Sequence, residues 1–276
     1  MRYFWAFIFL FAPCLTNAQN NSKADSLFTG GDFARAALEY EREIFYGDDI
    51  NKALLGRIRC FKKMGQFDKA AEELLRIRLF ALNQAQMADY FYEKILCNYL
   101  SGAFIEAQRA IDEMYLNLPD SALSHNTLLL QTFVYNELQQ WDKARESALI
   151  YAHGLSAPQK EETIAAIEKM YAAKNLPKLK KEKVARRLAF VPGLAHIYTG
   201  NFGEGAVSFL LVSTAFAFGI NEIWHGYYFT AYFVGVGIFR TTYFGGMKRA
   251  SVLLQKHNDE AVRLFNNQVR EKLLDF

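Results

Sequence analysis

Apolar residues return every three to four positions through most of the chain from residue 22 to residue 174, the spacing that lays one stripe along an α-helix. Leu54, Ile58 and Phe61, followed by Leu74 and Ile77, make one such stripe, and Ile164, Ile167 and Met170 make another. No long segment alternates with a period of two, so the pattern predicts an all-α chain with essentially no sheet. Further along, the pattern changes. The 17 residues Gly205–Asn221 carry no charge, and neither do the 17 residues Ile223–Phe239. At about 1.5 Å per residue each run spans roughly 25 Å, slightly less than a hydrocarbon core of about 30 Å. Tyr198, Phe202, Trp224, Tyr227, Tyr228 and Tyr243 flank the runs and would extend them by settling at the lipid interface. The expectation is a hydrophobic helical hairpin over 188–246, with a pair of buried soluble helices as the competing reading. From residue 247 to 276 an amphipathic C-terminal helix is expected, with Ala250, Leu254, Ala261, Phe265 and Leu273 on one side.

The helical stretch repeats itself. Gly31-Asp32-Phe33-Ala34-Arg35-Ala36 returns as Gly65-Gln66-Phe67-Asp68-Lys69-Ala70, as Gly102-Ala103-Phe104-Ile105-Glu106-Ala107 and as Gln139-Gln140-Trp141-Asp142-Lys143-Ala144. The aromatic steps by 34, 37 and 37 residues. Each unit reads as two amphipathic helices joined at a glycine that accepts a left-handed turn. The aromatic wedges between the helices and the alanine three places later lets them approach. Gln139 departs from this pattern, and the first unit is poor before Asp25. Pro119 stops the helix after the third turn. Residues 22–156 thus resemble the tetratricopeptide repeat, a helical solenoid whose units bury their faces only by stacking. Residues 157–187 would then supply a capping helix and a basic linker that ends in Lys178-Leu179-Lys180-Lys181-Glu182-Lys183 and Arg186-Arg187.

Ahead of the first uncharged run stands Pro192-Gly193-Leu194-Ala195-His196-Ile197-Tyr198-Thr199-Gly200, continuing to Gly205. Pro192, Gly193, Tyr198, Gly200 and Gly205 resemble the Pro-Gly-x-Gly-x-x-Tyr-x-Gly signature of small two-span bacterial membrane domains. Ala195 stands where that signature has its second glycine. The resemblance implies a helix-breaking approach to the first span and no chemistry of its own. His196 is expected to find its hydrogen bonds at the interface.

Residues 1–18 have the form of a signal peptide: Arg2, the apolar stretch Tyr3–Leu15, and Ala18 at the cleavage edge. Export would place the repeats in the periplasm, with the chain anchored in a membrane, the inner rather than the outer. The basic flanks of the hairpin run against the positive-inside tendency under this topology, although that tendency weakens after long translocated domains. Cys60 and Cys97 occupy equivalent places on neighbouring helices, where axes 8–10 Å apart are too distant for a disulfide, so both are expected as free thiols.

A net charge of +3 is too small to point to nucleic acid, and the basic run at 178–187 suits anionic lipid better. The five histidines have no metal-ligand spacing, and no nucleophile elbow, phosphate loop or dinucleotide fingerprint occurs. The expectation is therefore a non-enzyme without cofactor or metal. In the tetratricopeptide family the inner helices line a groove for peptides or partner helices. The period maps Lys52, Arg59, Lys62 and Lys63 onto that face, followed by Tyr92, Tyr99, Phe133 and Asn136. A basic mouth over an aromatic floor would take an acidic protein segment with apolar anchors. An envelope scaffold binding such a protein partner is the functional expectation, and the alternative is a membrane-complex subunit whose hairpin handles a lipid or small solute.

Overall fold

The computed structural model describes residues 22–47, 49–119 and 123–275, so the expected leader lies outside the described residues. Every regular element among them is helical. The chain divides into two compact units, Met1–Thr127 and Leu128–Phe276.

The first unit contains α1 (Lys23–Thr29), α2 (Phe33–Tyr46), α3 (Ile50–Lys63), α4 (Phe67–Leu74), a 3-10 turn (Leu79–Ala81), α5 (Gln84–Leu100) and α6 (Phe104–Asn117). α1 packs on α2, α3 on α4 and α5 on α6. The alanines of the repeated motif explain the close pairing: Ala36, Ala70, Ala107 and, in the second unit, Ala144 are all 0% exposed. The aromatic of each motif opens the second helix and meets the end of the first, as in Tyr99–Phe104, with ring centroids 5.7 Å apart. All five residues of the first predicted stripe, Leu54 to Ile77, are buried. On the outer side Arg57 reaches Glu41 and Glu73, and Arg76 shares both carboxylates, tying α2, α3 and the end of α4 together.

The turn between paired helices is the same object each time. Gly65 has φ of +71°, its N–H bonds to the Lys62 carbonyl at 3.1 Å, and the Gln66 N–H bonds to the Phe61 carbonyl at 2.9 Å. This pair of bonds satisfies the last carbonyls of the first helix and starts the next. Gln139, read from the sequence as a departure, adopts the same geometry at φ +58°, with Gln139 N to Asn136 O at 3.0 Å and Gln140 N to Tyr135 O at 2.9 Å. Gly200 and Gly226 repeat the turn in the apolar part of the chain.

The second unit takes the rest of α7 (His125–Glu137), then α8 (Trp141–His153), α9 (Ala157–Met170), α10 (Glu182–Leu188), α11 (Leu194–Tyr198) and α12 (Phe202–Trp224). After a turn come α13 (Tyr228–Thr230), a π-helical segment (Ala231–Val236) and α14 (Gly237–Leu274). α12 packs against the π segment and the start of α14, and the backbones nearly touch where a Cβ on Gly235 would lie 2.9 Å from the Gly219 Cα. The 23 residues of α12 span roughly 35 Å, more than the uncharged run alone, because the helix continues past both Glu204 and Glu222. It is the one described helix long and apolar enough, by length and composition, to cross a membrane, and only 11% of its most apolar window is buried.

The sequence placed a new helix at 247, but α14 runs through Gly245 and Gly246 without a break for 38 residues. Its distal half does not project freely. Phe265 is 7% exposed and meets Trp141 and Tyr171 edge-on, with centroids 5.1 and 5.7 Å away. Arg270 pairs with Glu137 at 3.1 Å and lies over the Phe133 ring, while Val269 and Leu273 are fully buried. α9 packs on α8, and α14 reaches the same group of helices through Phe265 and Arg270.

Candidate functional site

Two places in the chain collect the residues singled out by sequence. The first is a cleft of about 750 Å³ in the first unit, between α3 and α5. Asn51 defines its rim, since its side chain exchanges two hydrogen bonds with the Arg78 backbone, at 3.3 and 3.1 Å, and so fixes the approach to the 3-10 turn. Lys52, Arg59, Lys62 and Tyr92 line the cleft together with the apolar Leu55, Leu74 and Leu82. α3 carries Lys52, Arg59 and Lys62 on one face because they are spaced by seven and three. Lys63, on the exposed side of the same helix, is not among the lining residues.

The charge in this cleft is not purely basic. Lys62 is held by Glu93, with its Nζ 2.7 and 2.5 Å from the two carboxylate oxygens. Asp49 accepts from the Lys52 backbone N–H at 3.1 Å and caps α3. Asp89 also lines the wall. Among the described residues neither Lys52 nor Arg59 makes a close ion pair, and both also border a neighbouring cleft of about 250 Å³ that reaches Asp25 and Tyr40. Glu93 escaped the sequence reading because its matching cation, Lys62, lies 31 residues away, and Asp89 lines the wall in no ion pair among the described residues. Their place on the Tyr92 helix, three or four residues apart, was the available signal.

Tyr99 packs on Phe104 within its own helix pair. Phe133 and Asn136 belong to the second unit, where the chain's own helices meet them. Asn136 is 1% exposed and accepts a hydrogen bond from the Tyr171 hydroxyl at 2.9 Å, and burial raises the Tyr171 phenol above its usual range. Asn136 is therefore an internal contact rather than open groove floor. Cys60 and Cys97 are both buried and unbonded; burial pushes the Cys60 thiol up to about 11 and the Cys97 thiol up to about 12.

The second place is the base of the apolar pair, built by the glycine-rich motif. Gly193 has φ of +85° and caps α11, and a Cβ there would lie 2.3 Å from the Gly205 carbonyl oxygen. This contact folds α11 back against the first turn of α12, with Ala195 buried beneath it. The Tyr198 hydroxyl accepts from the Lys181 N–H at 3.1 Å, and its ring lies under Lys180. Pro192 and Gly193 border a cavity of only about 10 Å³, space for a single water molecule. His196 lines it too. The residue is 3% exposed, and its Nδ1 has no protein partner, so it is packed inside rather than at an interface as the sequence suggested. The packing of α11 between α12 and α14 takes it there.

No group of three or more His, Cys, Asp or Glu converges among the described residues in a way that could hold a metal ion. Comparison with protein families, curated proteins and solved structures finds no match to this chain.

Proposed function

We propose that the chain is a non-catalytic adaptor of the cell envelope: tetratricopeptide-type repeats that hold a protein segment, anchored by a two-span hairpin made from α12 and the paired helix after Gly226. The observation that carries this reading is the coexistence, in one chain, of an open cleft with mixed apolar and charged walls and a helix pair whose outward side chains are apolar. Along α12 only Gly205, Val212 and Ala215 are buried, while Phe209, Leu210, Leu211, Phe216, Ile220 and Trp224 are exposed. Such a surface is far larger than soluble monomers ordinarily leave in water. The leader-like residues 1–18 support export, repeats in the periplasm, and the inner membrane as the anchoring site. Lys52 and Arg59, cleft cations in no close ion pair among the described residues, favour an acidic partner segment, and Leu55 and Leu82 would receive its apolar anchors. The alternative, a subunit that handles a lipid or solute inside the hairpin, gains nothing from the 10 Å³ cavity beside it.

A photo-crosslinking side chain at position 92, in the cleft, and at position 63, outside it, tests the reading in intact cells. Position 92 should yield a protein adduct that position 63 does not, and Lys52→Glu with Arg59→Glu should lower its yield roughly fivefold or more. Equal yields at the two positions would overturn the cleft as the partner site. Release of the whole chain by alkaline carbonate would overturn the anchor.

A further inference from the structure

The segment 180–190 is laid along α14 and fastened at both ends. Lys180 N–H donates to Asn258 Oδ1 at 2.9 Å and Asn258 Nδ2 donates back to the Lys180 carbonyl at 3.0 Å. Ten residues later the Phe190 carbonyl accepts from the Tyr243 hydroxyl at 3.1 Å. The segment therefore runs antiparallel to α14, from the level of residue 258 to the level of residue 243, with Ala185 and Ala250 buried along the seam. Along that path the exposed side chains change character. Lys183, Arg186 and Arg187 give way to Phe190 and Val191, which are 69% and 48% exposed. On α14 the same change occurs at the same level, from Arg249 and Lys248 to Phe244, which is 59% exposed. Two neighbouring helices thus cross from basic to apolar together, as side chains do where headgroups meet acyl chains.

The charges at this level do not cancel. Arg186 is matched by Glu182 and Arg249 by Glu204, but among the described residues Lys183, Arg187 and Lys248 have no carboxylate partner. The opposite end of the helix pair, residues 221–230, contains no lysine or arginine. Basic side chains close to a membrane surface attract anionic lipid, and the attraction falls off within a Debye length.

We propose that the base of the apolar pair is a docking surface for anionic phospholipid headgroups, held by Lys183, Arg187 and Lys248 with the acyl chains against Phe190 and Phe244. The surface rests on the membrane reading above and adds to it a preference for headgroup charge at one end only. α10 is the element that supplies it: the two fastenings hold its cations at a fixed height on α14 instead of leaving them on a free linker.

The full chain in nonionic detergent tests this through its thermal unfolding midpoint. Added phosphatidylglycerol should raise the midpoint by roughly 5 °C, while phosphatidylcholine and inorganic phosphate should not, and the rise should shrink as salt increases. Lys183→Gln with Arg187→Gln and Lys248→Gln should abolish the rise without moving the lipid-free midpoint. The same substitutions at the exposed Lys63, Lys169 and Lys174 should leave the rise intact. An equal rise with both lipids, no rise with either, a rise with phosphate alone, or a rise surviving in the triple variant would each overturn the headgroup surface. Carbonate extraction separates this failure from that of the anchor: a chain that resists extraction but shows equal rises is anchored without headgroup preference.

Discussion

Replacing Phe265 by alanine should loosen the second unit as a whole, because this ring is where the distal half of α14 meets α8 and the residues after α9. Its side chain is 7% exposed and contacts the rings of Trp141 and Tyr171 edge-on. Truncating a buried phenylalanine costs about 3–5 kcal/mol, combining lost transfer energy with the cavity left behind. Edge-to-face pairs contribute about 0.5–1.5 kcal/mol each beyond area burial, and both are lost here, so a value of about 4 kcal/mol is expected. Phe265→Leu keeps most of the volume and loses only the ring geometry, and should cost about 1–2 kcal/mol. The measurement is denaturant unfolding of the full chain in detergent with Trp224→Phe as background, which leaves Trp141 as the fluorophore beyond the leader-like segment. Trp224 is 87% exposed, so its replacement should be silent. The alanine variant should also shift Trp141 emission to the red, as water reaches the indole. A loss below about 0.5 kcal/mol with unchanged emission would mean that α14 does not pack against α8 there.

Gln139→Gly should stabilise the chain by about 1 kcal/mol in the same unfolding measurement, because glutamine holds a left-handed backbone at φ +58° that glycine adopts without strain. The buried thiols set a pH limit. With Cys60 and Cys97 raised from an ordinary 9.0 to about 11 and about 12, the folded state holds protons that the unfolded state releases. Their stabilisation is complete below pH 9 and is lost progressively as pH rises through 11 to 12; urea midpoints should fall across that window, and Cys60→Ala with Cys97→Ala should flatten the fall. In native protein at pH 8 neither thiol should react with iodoacetamide within minutes, whereas both should react at once in denaturant.

The repeat was legible because its information is local. The aromatic, the alanine three places on and the turn glycine recur at one spacing, and each has one structural duty, visible in the four fully buried alanines. Gln139 shows that the turn belongs to the backbone bonds and the glycine only eases it. What the sequence concealed was long-range. The sequence reading starts a new helix at Met247, just past Gly245-Gly246, where each glycine costs about 1 kcal/mol of helix propensity. α14 passes through this pair unbroken, with Gly246 facing Ser208, where a Cβ would lie 2.8 Å from Ser208 Oγ, and open space at Gly245. Likewise nothing near Phe133 or Asn136 announces that they will be met by Arg270 and Tyr171. The cleft was half legible, since Lys52, Arg59 and Lys62 share a face by helical spacing, but Glu93, which neutralises Lys62, is 31 residues away.

The Glu137–Arg270 pair joins residues 133 positions apart, and between them lie both stretches rich in apolar, exposed side chains. During synthesis the fourth helix pair therefore emerges long before the segment that covers it. α7, α8 and α9 must wait, with Trp141 and Tyr171 uncovered, until α12 and the helix after Gly226 have been made and paired. Closing so long a loop is slow, and the waiting surface is a natural substrate for chaperones and proteases. A chain whose apolar helices fail to pair would not bring Phe265 against Trp141 and Tyr171. The stretch of α14 that carries Phe265, Val269 and Arg270 thus serves as a seal on the fourth helix pair.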